Sequence, residues 1–156
     1  VHPARIWRKS GARPGDVLML SKPIGSGVLL SSALPADVAT ATAAMRDTNR
    51  AAAQALHLLR GGPHAVTDVS GYGLLGHALE MAERSAIGVR IDAAAVPLLP
   101  GALDAASRGV RTSAHRHAGE QRDPRVRGSE AIDAARLAML RDPQTSGGLL
   151  AAVAPG

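Results

Sequence analysis

Thr67-Asp68-Val69-Ser70-Gly71-Tyr72-Gly73-Leu74-Leu75-Gly76-His77 is the stretch that the rest of this sequence is built around. Before it, Ala65 and Val66 read as the end of a short buried strand. After it, Leu74, Leu75, Ala78, Leu79, Met81 and Ala82 form the apolar-rich pattern of a helix. The segment is therefore a strand–loop–helix junction with a carboxylate, Asp68, at the strand's end. Thr67 and Ser70 add hydroxyls, and Gly71 and Gly73 let a ligand approach the backbone closely. A helix N-terminus also offers free N–H groups to an anion. Two readings of Asp68 stand. Mg²⁺ takes one or two protein carboxylates and fills its other positions with water and phosphate oxygens, so Asp68 suits a metal–phosphate site completed from elsewhere. The alternative is an ordinary cap on the following helix.

The composition narrows the function classes. The chain has 156 residues, enough for one domain with a real core. Phe is absent and there is one Trp and one Tyr, so the core must be aliphatic and rich in Ala, with little surface for stacking bases. With no cysteine, disulfides, thiolate nucleophiles and Cys-ligated zinc are excluded within the segment. The chain starts at Val1 rather than Met, as an excerpt of a longer protein would. There is no signal-peptide pattern and no apolar run near the ~20 residues of a membrane span, so the expected setting is soluble and cytoplasmic.

The net charge is +5 and 16 of the 18 cationic residues are Arg. The excess sits in residues 1–22 and 108–127. Two basic segments can meet nucleic acid or a polyanion, rim a nucleotide pocket, or lie solvated. Without aromatics or a known nucleic-acid-binding pattern, nucleic acid is set aside as the expected partner.

Residues 1–15, basic and broken by Pro3, Pro14 and Gly15, read as a linker from an N-terminal domain, with residues 16–156 as a C-terminal domain. Trp7 is expected to anchor the linker. Asp16 to Leu20 reads as a strand. Ser21 to Gly27, with Lys22 and two glycines, is either a second phosphate cradle or a strand-to-helix turn; it lacks P-loop spacing. Pro35 to Arg60 reads as one helix, with Asn49 near its middle bonding a neighbouring loop or a ligand, or facing solvent. The helix after Asp68 is expected to end near Gly88 as its C′ residue. Val89 to Asp92 alternates as a half-buried strand does. Pro100 to Ser107 and Glu130 to Leu140 read as helices, and 110–128 as a long exposed loop. His115 and His117 form a His-x-His pair without the further ligands zinc needs. His77 lies on the core helix and reads as a satisfied structural histidine, or as one bonded to a group that meets a ligand. Asp142 to Gly148 then leads into a buried strand, Leu149 to Val153. In that loop Thr145, Ser146, Gly147 and Gly148 supply the parts of an oxyanion nest, or of a plain turn.

Three of these segments, residues 15–30, 67–77 and 142–150, resemble in order and spacing the hallmark segments of selenophosphate synthetase (selenide, water dikinase). The resemblance spans nearly the whole chain and corresponds to that family's C-terminal domain, related to aminoimidazole ribonucleotide synthetase. It implies an α+β fold with helices layered on a mixed β-sheet, incomplete at its C-terminal end. It also implies a homodimeric enzyme in which ATP, selenide and water give selenophosphate, AMP and phosphate, with Mg²⁺–ATP held between two domains.

By resemblance Asp68 is the metal carboxylate. Thr67, Gly71 and Gly73 shape its loop, and Thr145, Ser146, Gly147 and Gly148 lie near the same cleft as nucleotide-binding residues. The family's N-terminal segment, with its cysteine or selenocysteine and following lysine, lies outside this sequence. The isolated segment is therefore expected to be inactive. Tyr72 stands where the family more often has Phe, and Thr112 to His117 departs from its Gly-rich turn. Two rival expectations remain. One is another ATP-dependent member of the superfamily, such as a purine-pathway ligase or thiamine phosphate kinase. The other is a non-catalytic dimerisation or anion-binding module using the basic segments.

Overall fold

A computed structural model describes residues 6–113 and 123–156. His115 and His117, and most of the basic loop, lie outside the described residues. Among the described residues, Leu149–Val153 forms the central strand of a three-stranded antiparallel sheet (β3), flanked by Val17–Leu20 (β1) and Ala65–Asp68 (β2). The central place follows from composition. Five consecutive residues without charge or proline can be covered on both faces and hydrogen-bonded on both edges. Val17 pairs with Val153 and Leu20 with Leu150 on one side; Ala65 pairs with Ala152 and Asp68 with Leu149 on the other. The α+β layering is as expected. Among the described residues all named strands pair antiparallel, and the parallel pairing is confined to an isolated bridge between Ile24 and Leu98.

Side-chain alternation gives the sheet two faces. Leu150 and Ala152 face the main core, with Val28, Leu29, Met81 and Met139. Val66, Ala151 and Val153 face a smaller cluster with Leu56 and Trp7. Trp7 stacks on His57 with ring centroids 4.4 Å apart, and Arg8 accepts a hydrogen bond at its carbonyl from Val66 N–H. The entering segment thus covers the outer edge of β2. On the same face, Val17 and Met19 of the end strand β1 are about half exposed.

The helices are α1 (Ser26–Ser32), α2 (Pro35–Arg46), α3 (Arg50–Leu58), α4 (Gly73–Ser85), α5 (Ala102–Ser107) and α6 (Ala134–Leu140). Several differ from expectation. The single helix read over Pro35 to Arg60 is two, because Asp47 turns extended (ψ 125°) and Asp-Thr-Asn is a weak helix-forming run. The last carbonyls of α2 find side-chain donors instead of a next turn. Lys22 Nζ reaches Ala44 O and Asp47 O, and Ser146 Oγ reaches Met45 O.

Helix α4 ends earlier than Gly88. Ala86 takes the left-handed cap conformation (φ 53°), and Ile87 N–H closes back on Ala82 O. Val89 to Asp92 alternates in burial as a strand would but pairs with no neighbour. Glu130 to Leu140 divides into a 3-10 turn, Ser129–Ala131, and α6. Asp133 starts α6 by accepting from Arg136 N–H at 2.8 Å.

Candidate functional site

Three loops meet at the ends of β1, β2 and β3: residues 21–25, 68–72 and 142–148. Hydrogen bonds knit them together. Val69 N–H donates to Gly148 O at 2.8 Å, Gln144 N–H to Ser70 O at 2.9 Å, and Ser21 N–H to Leu149 O at 2.9 Å. Ser21 Oγ in turn accepts from Leu149 N–H at 2.7 Å. The three segments singled out in the sequence are therefore one structural unit.

Asp68 is exposed at the end of β2. Its carboxylate makes no hydrogen bond or ion pair with the described residues, so it caps no helix. Thr67 lies on the opposite sheet face, buried, with its hydroxyl on the Asp68 carbonyl oxygen at 3.1 Å. Gly71 is exposed, and a Cβ there would meet nothing. Gly73 is different: its φ is +67°, and a Cβ would sit 2.7 Å from the carbonyl carbon of Arg141. Only glycine lets the start of α4 lie on the end of α6, which sets the 68–72 loop beside the 142–148 loop.

His77 is buried and supports the same loop. Its Nε2 accepts from Ser70 N–H at 3.0 Å and lies 3.2 Å from Ser70 Oγ. That bond assigns the neutral ring its proton on Nδ1, which has no hydrogen-bond partner and lies 3.9 Å from Glu80 Oε2. Burial holds the imidazole below its ordinary pKa. Lys9 adds to that, while Asp68 and Glu80 oppose it.

In the 142–148 loop, Thr145 and Ser146 are exposed and Gly148 is buried. Ser146 has φ 52°, the left-handed region. A Cβ on Gly147 would lie 2.0 Å from Val69 O, and one on Gly148 2.7 Å from Lys22 N. Close backbone approach thus requires both glycines.

Sequence reasoning missed the groups that hold this loop. Gln144 Oε1 accepts from the Gly25 and Ser26 amides and from Ser26 Oγ, and its Nε2 donates to Asp142 O and Oδ2. Asp142 is fully buried and accepts from Gly27 N–H at 3.0 Å. Burial pushes its carboxyl up to about 6, against the pull of Gln144 and the Val28 and Gly27 amides. Asn49 Nδ2 donates to Gly147 O at 2.8 Å, which resolves its place mid-pattern: it bonds a neighbouring loop. Lys22 does not form a phosphate cradle. Its ammonium is turned inward onto three backbone carbonyls. The one signal for both was local: an Asn where a helix former is expected, and one of only two lysines.

Among the described residues no three His, Asp or Glu side chains gather to hold a metal. One free, exposed carboxylate fits a magnesium ion that takes its other ligands from phosphates and water, and fits no all-protein cage. A separate cavity of about 550 Å³ lies between α4, residues 86–91 and α6, lined mainly by aliphatic side chains with Arg125, Arg127 and Glu83. None of the residues above lines it. No described helix is long and apolar enough to cross a membrane.

The chain is 43% identical over 162 residues to a selenide, water dikinase of Trichlorobacter lovleyi, covering 100% of this chain and 46% of that protein. It is 42% identical over 165 residues to one of Burkholderia pseudomallei, covering 99% and 45%. A third, of Bdellovibrio bacteriovorus, is 36% identical over 163 residues, covering 98% and 45%. The chain thus spans a little under half the length of these relatives. A solved thiamine-monophosphate kinase from Stenotrophomonas maltophilia shares the fold, with TM-score 0.59 at 23% identity, over 99% of this chain and 44% of that one. Residues 13–156 match the family described as AIR synthase related protein, C-terminal domain. With that match over nearly its whole length, and the strand-end loops joined as described, the chain belongs to the AIR synthase related C-terminal domain family.

Proposed function

We propose that this chain is the C-terminal part of a selenide, water dikinase. The reaction is ATP-dependent phosphorylation of selenide to selenophosphate, with release of AMP and phosphate. The single observation that carries the reading is Asp68: an exposed carboxylate at a strand end, with no hydrogen-bond or ion-pair partner among the described residues, next to a loop of hydroxyls and close-packed glycines. The identity of 36–43% to proteins of that name supports the substrate assignment.

The Asp68 carboxylate binds magnesium in this reading, with Gly71 and Gly73 shaping its loop and the 145–148 segment receiving phosphate oxygens. Thr67 contributes backbone position rather than its hydroxyl. Bound with the triphosphate, magnesium supplies neutralisation of phosphate charge, and catalysis is then mainly positioning and electrostatics. The remaining nucleotide and metal ligands come from an N-terminal domain joined through residues 1–15, within a cytoplasmic homodimer. The isolated segment is inactive.

The test is Asp68→Asn in the full-length protein. Selenophosphate formation should fall by at least a hundredfold while the circular dichroism spectrum and melting temperature are kept. Unaltered turnover would remove Asp68 from the metal site. Running selenide, formylglycinamidine ribonucleotide and thiamine phosphate as alternative acceptors separates this assignment from the other ATP-dependent chemistries.

A further inference from the structure

We propose that Lys22 and Asn49 are positioning residues whose task is to aim the backbone amides of Gly147 and Gly148 at a phosphate group. This rests on the reading that residues 145–148 meet the nucleotide, and adds how that loop is made ready.

Lys22 is buried, with no carboxylate bonded to it among the described residues. Its ammonium donates to Ala44 O at 3.4 Å, Asp47 O at 2.5 Å and Ser146 O at 2.8 Å. Three donors meet three carbonyls, so no donor remains for a ligand. Asn49 stands at the N-terminus of α3, where its side chain makes no capping bond. Its amide donates to Gly147 O instead. Both residues therefore spend their donors on successive carbonyls of one loop, and Val69 N–H takes the third, Gly148 O.

A trans peptide holds each N–H antiparallel to the preceding C=O. Drawing the Ser146 carbonyl onto Lys22 turns Gly147 N–H away from the ammonium. Drawing the Gly147 carbonyl onto Asn49 turns Gly148 N–H away from that side chain. Neither N–H, nor that of Ser146, has an acceptor among the described residues, whereas the flanking amides are satisfied: Thr145 N–H by Ser26 Oγ and Leu149 N–H by Ser21 Oγ. Adjacent free amides after a left-handed residue form an anion-binding concavity. Amides left unpaired at half-buried and buried glycines are costly unless a ligand or water accepts from them. The buried ammonium behind the loop adds positive potential without touching the ligand. Asp68, paired in register with Leu149, flanks the same loop, which places cation and anion contacts side by side.

The experiment is hydrogen exchange by mass spectrometry on the full-length protein, with and without Mg²⁺–ATP, alongside calorimetric titration of Mg²⁺–ATP. The variants are Lys22→Met, Asn49→Asp and, as a control, Lys9→Met, which removes a half-buried cation paired with Glu80. In the wild type, nucleotide should slow exchange in the peptide covering 144–149. Lys22→Met and Asn49→Asp should bind Mg²⁺–ATP at least tenfold more weakly and lose that protection at equal occupancy, while Lys9→Met keeps both. Wild-type protein without protection at 144–149 would overturn the reading that this loop meets nucleotide. Protection in the wild type, with unchanged affinity and protection in both variants, would overturn the positioning role alone. Asn49→Asp keeps the side chain's shape but presents an acceptor to Gly147 O, so it decides the matter if Lys22→Met does not fold.

Discussion

Replacing Asp142 by Asn separates a charge from a shape. The carboxyl is fully buried and titrates near 6 rather than at 3.8. Below pH 3.8 both folded and unfolded chains hold the proton; between 3.8 and about 6 only the folded chain does. This contribution to stability is thus fully present at low pH and is lost as the pH rises through about 6. At 1.36 kcal/mol per unit, a rise from 3.8 to about 6 amounts to roughly 3 kcal/mol. Asn keeps an acceptor for Gly27 N–H and Gln144 Nε2 but places an NH₂ where Oδ1 has no partner. That orphaned donor costs about 1–3 kcal/mol at every pH. The stability of the variant relative to wild type should therefore improve by roughly 2 kcal/mol between pH 4, where the unfolded carboxyl is already more than half ionised, and pH 7.5, whatever its offset. Urea unfolding of both proteins at four pH values measures it, with carbon-13 NMR titration of the Asp142 carboxyl as the direct check. Parallel stability curves for the two proteins across that range would refute the reasoning.

Acidification should loosen the Ser70 loop. Protonating His77 puts a hydrogen on the Nε2 that accepts from Ser70 N–H, so the support is present above pH 6.5 and is lost as the pH falls through the lowered folded value. Faster amide exchange at Ser70 in acid, absent in His77→Gln, checks this. Gly147→Ala should destabilise by about 3 kcal/mol or more, because its Cβ would lie 2.0 Å from Val69 O. Gly71→Ala, with open space around it, should stay within about 0.5 kcal/mol of wild type in the same denaturation assay.

Much of this molecule is legible in short runs of sequence. The apolar run Leu149 to Val153 reads as a buried strand because its neighbours alone forbid exposure. Asp68 reads as a strand-end acid because Gly71 and Gly73 stop the strand and open α4. Lys22, Asn49 and Gln144 are legible by type but not by role. Each acts on groups about 100 or more residues away in the chain, and no local pattern records such a partner. The same limit explains the helix misread over Pro35 to Arg60. Composition favours helix on both sides of the weakly helix-forming Asp47-Thr48-Asn49 run, and the break at Asp47 is stabilised by donors arriving from residues 22 and 146. The sequence by itself determined the three paired strands, the helix that follows Asp68, the aliphatic make-up of the core and the candidate acid, since these follow from propensity and periodicity over a few turns. Only the tertiary structure decided that the lysine faces carbonyls rather than phosphate, and that the Gly147 and Gly148 amides have no acceptor among the described residues. Hydrogen-bond partners are settled by which loops meet in space, and separation along the chain carries no record of that meeting.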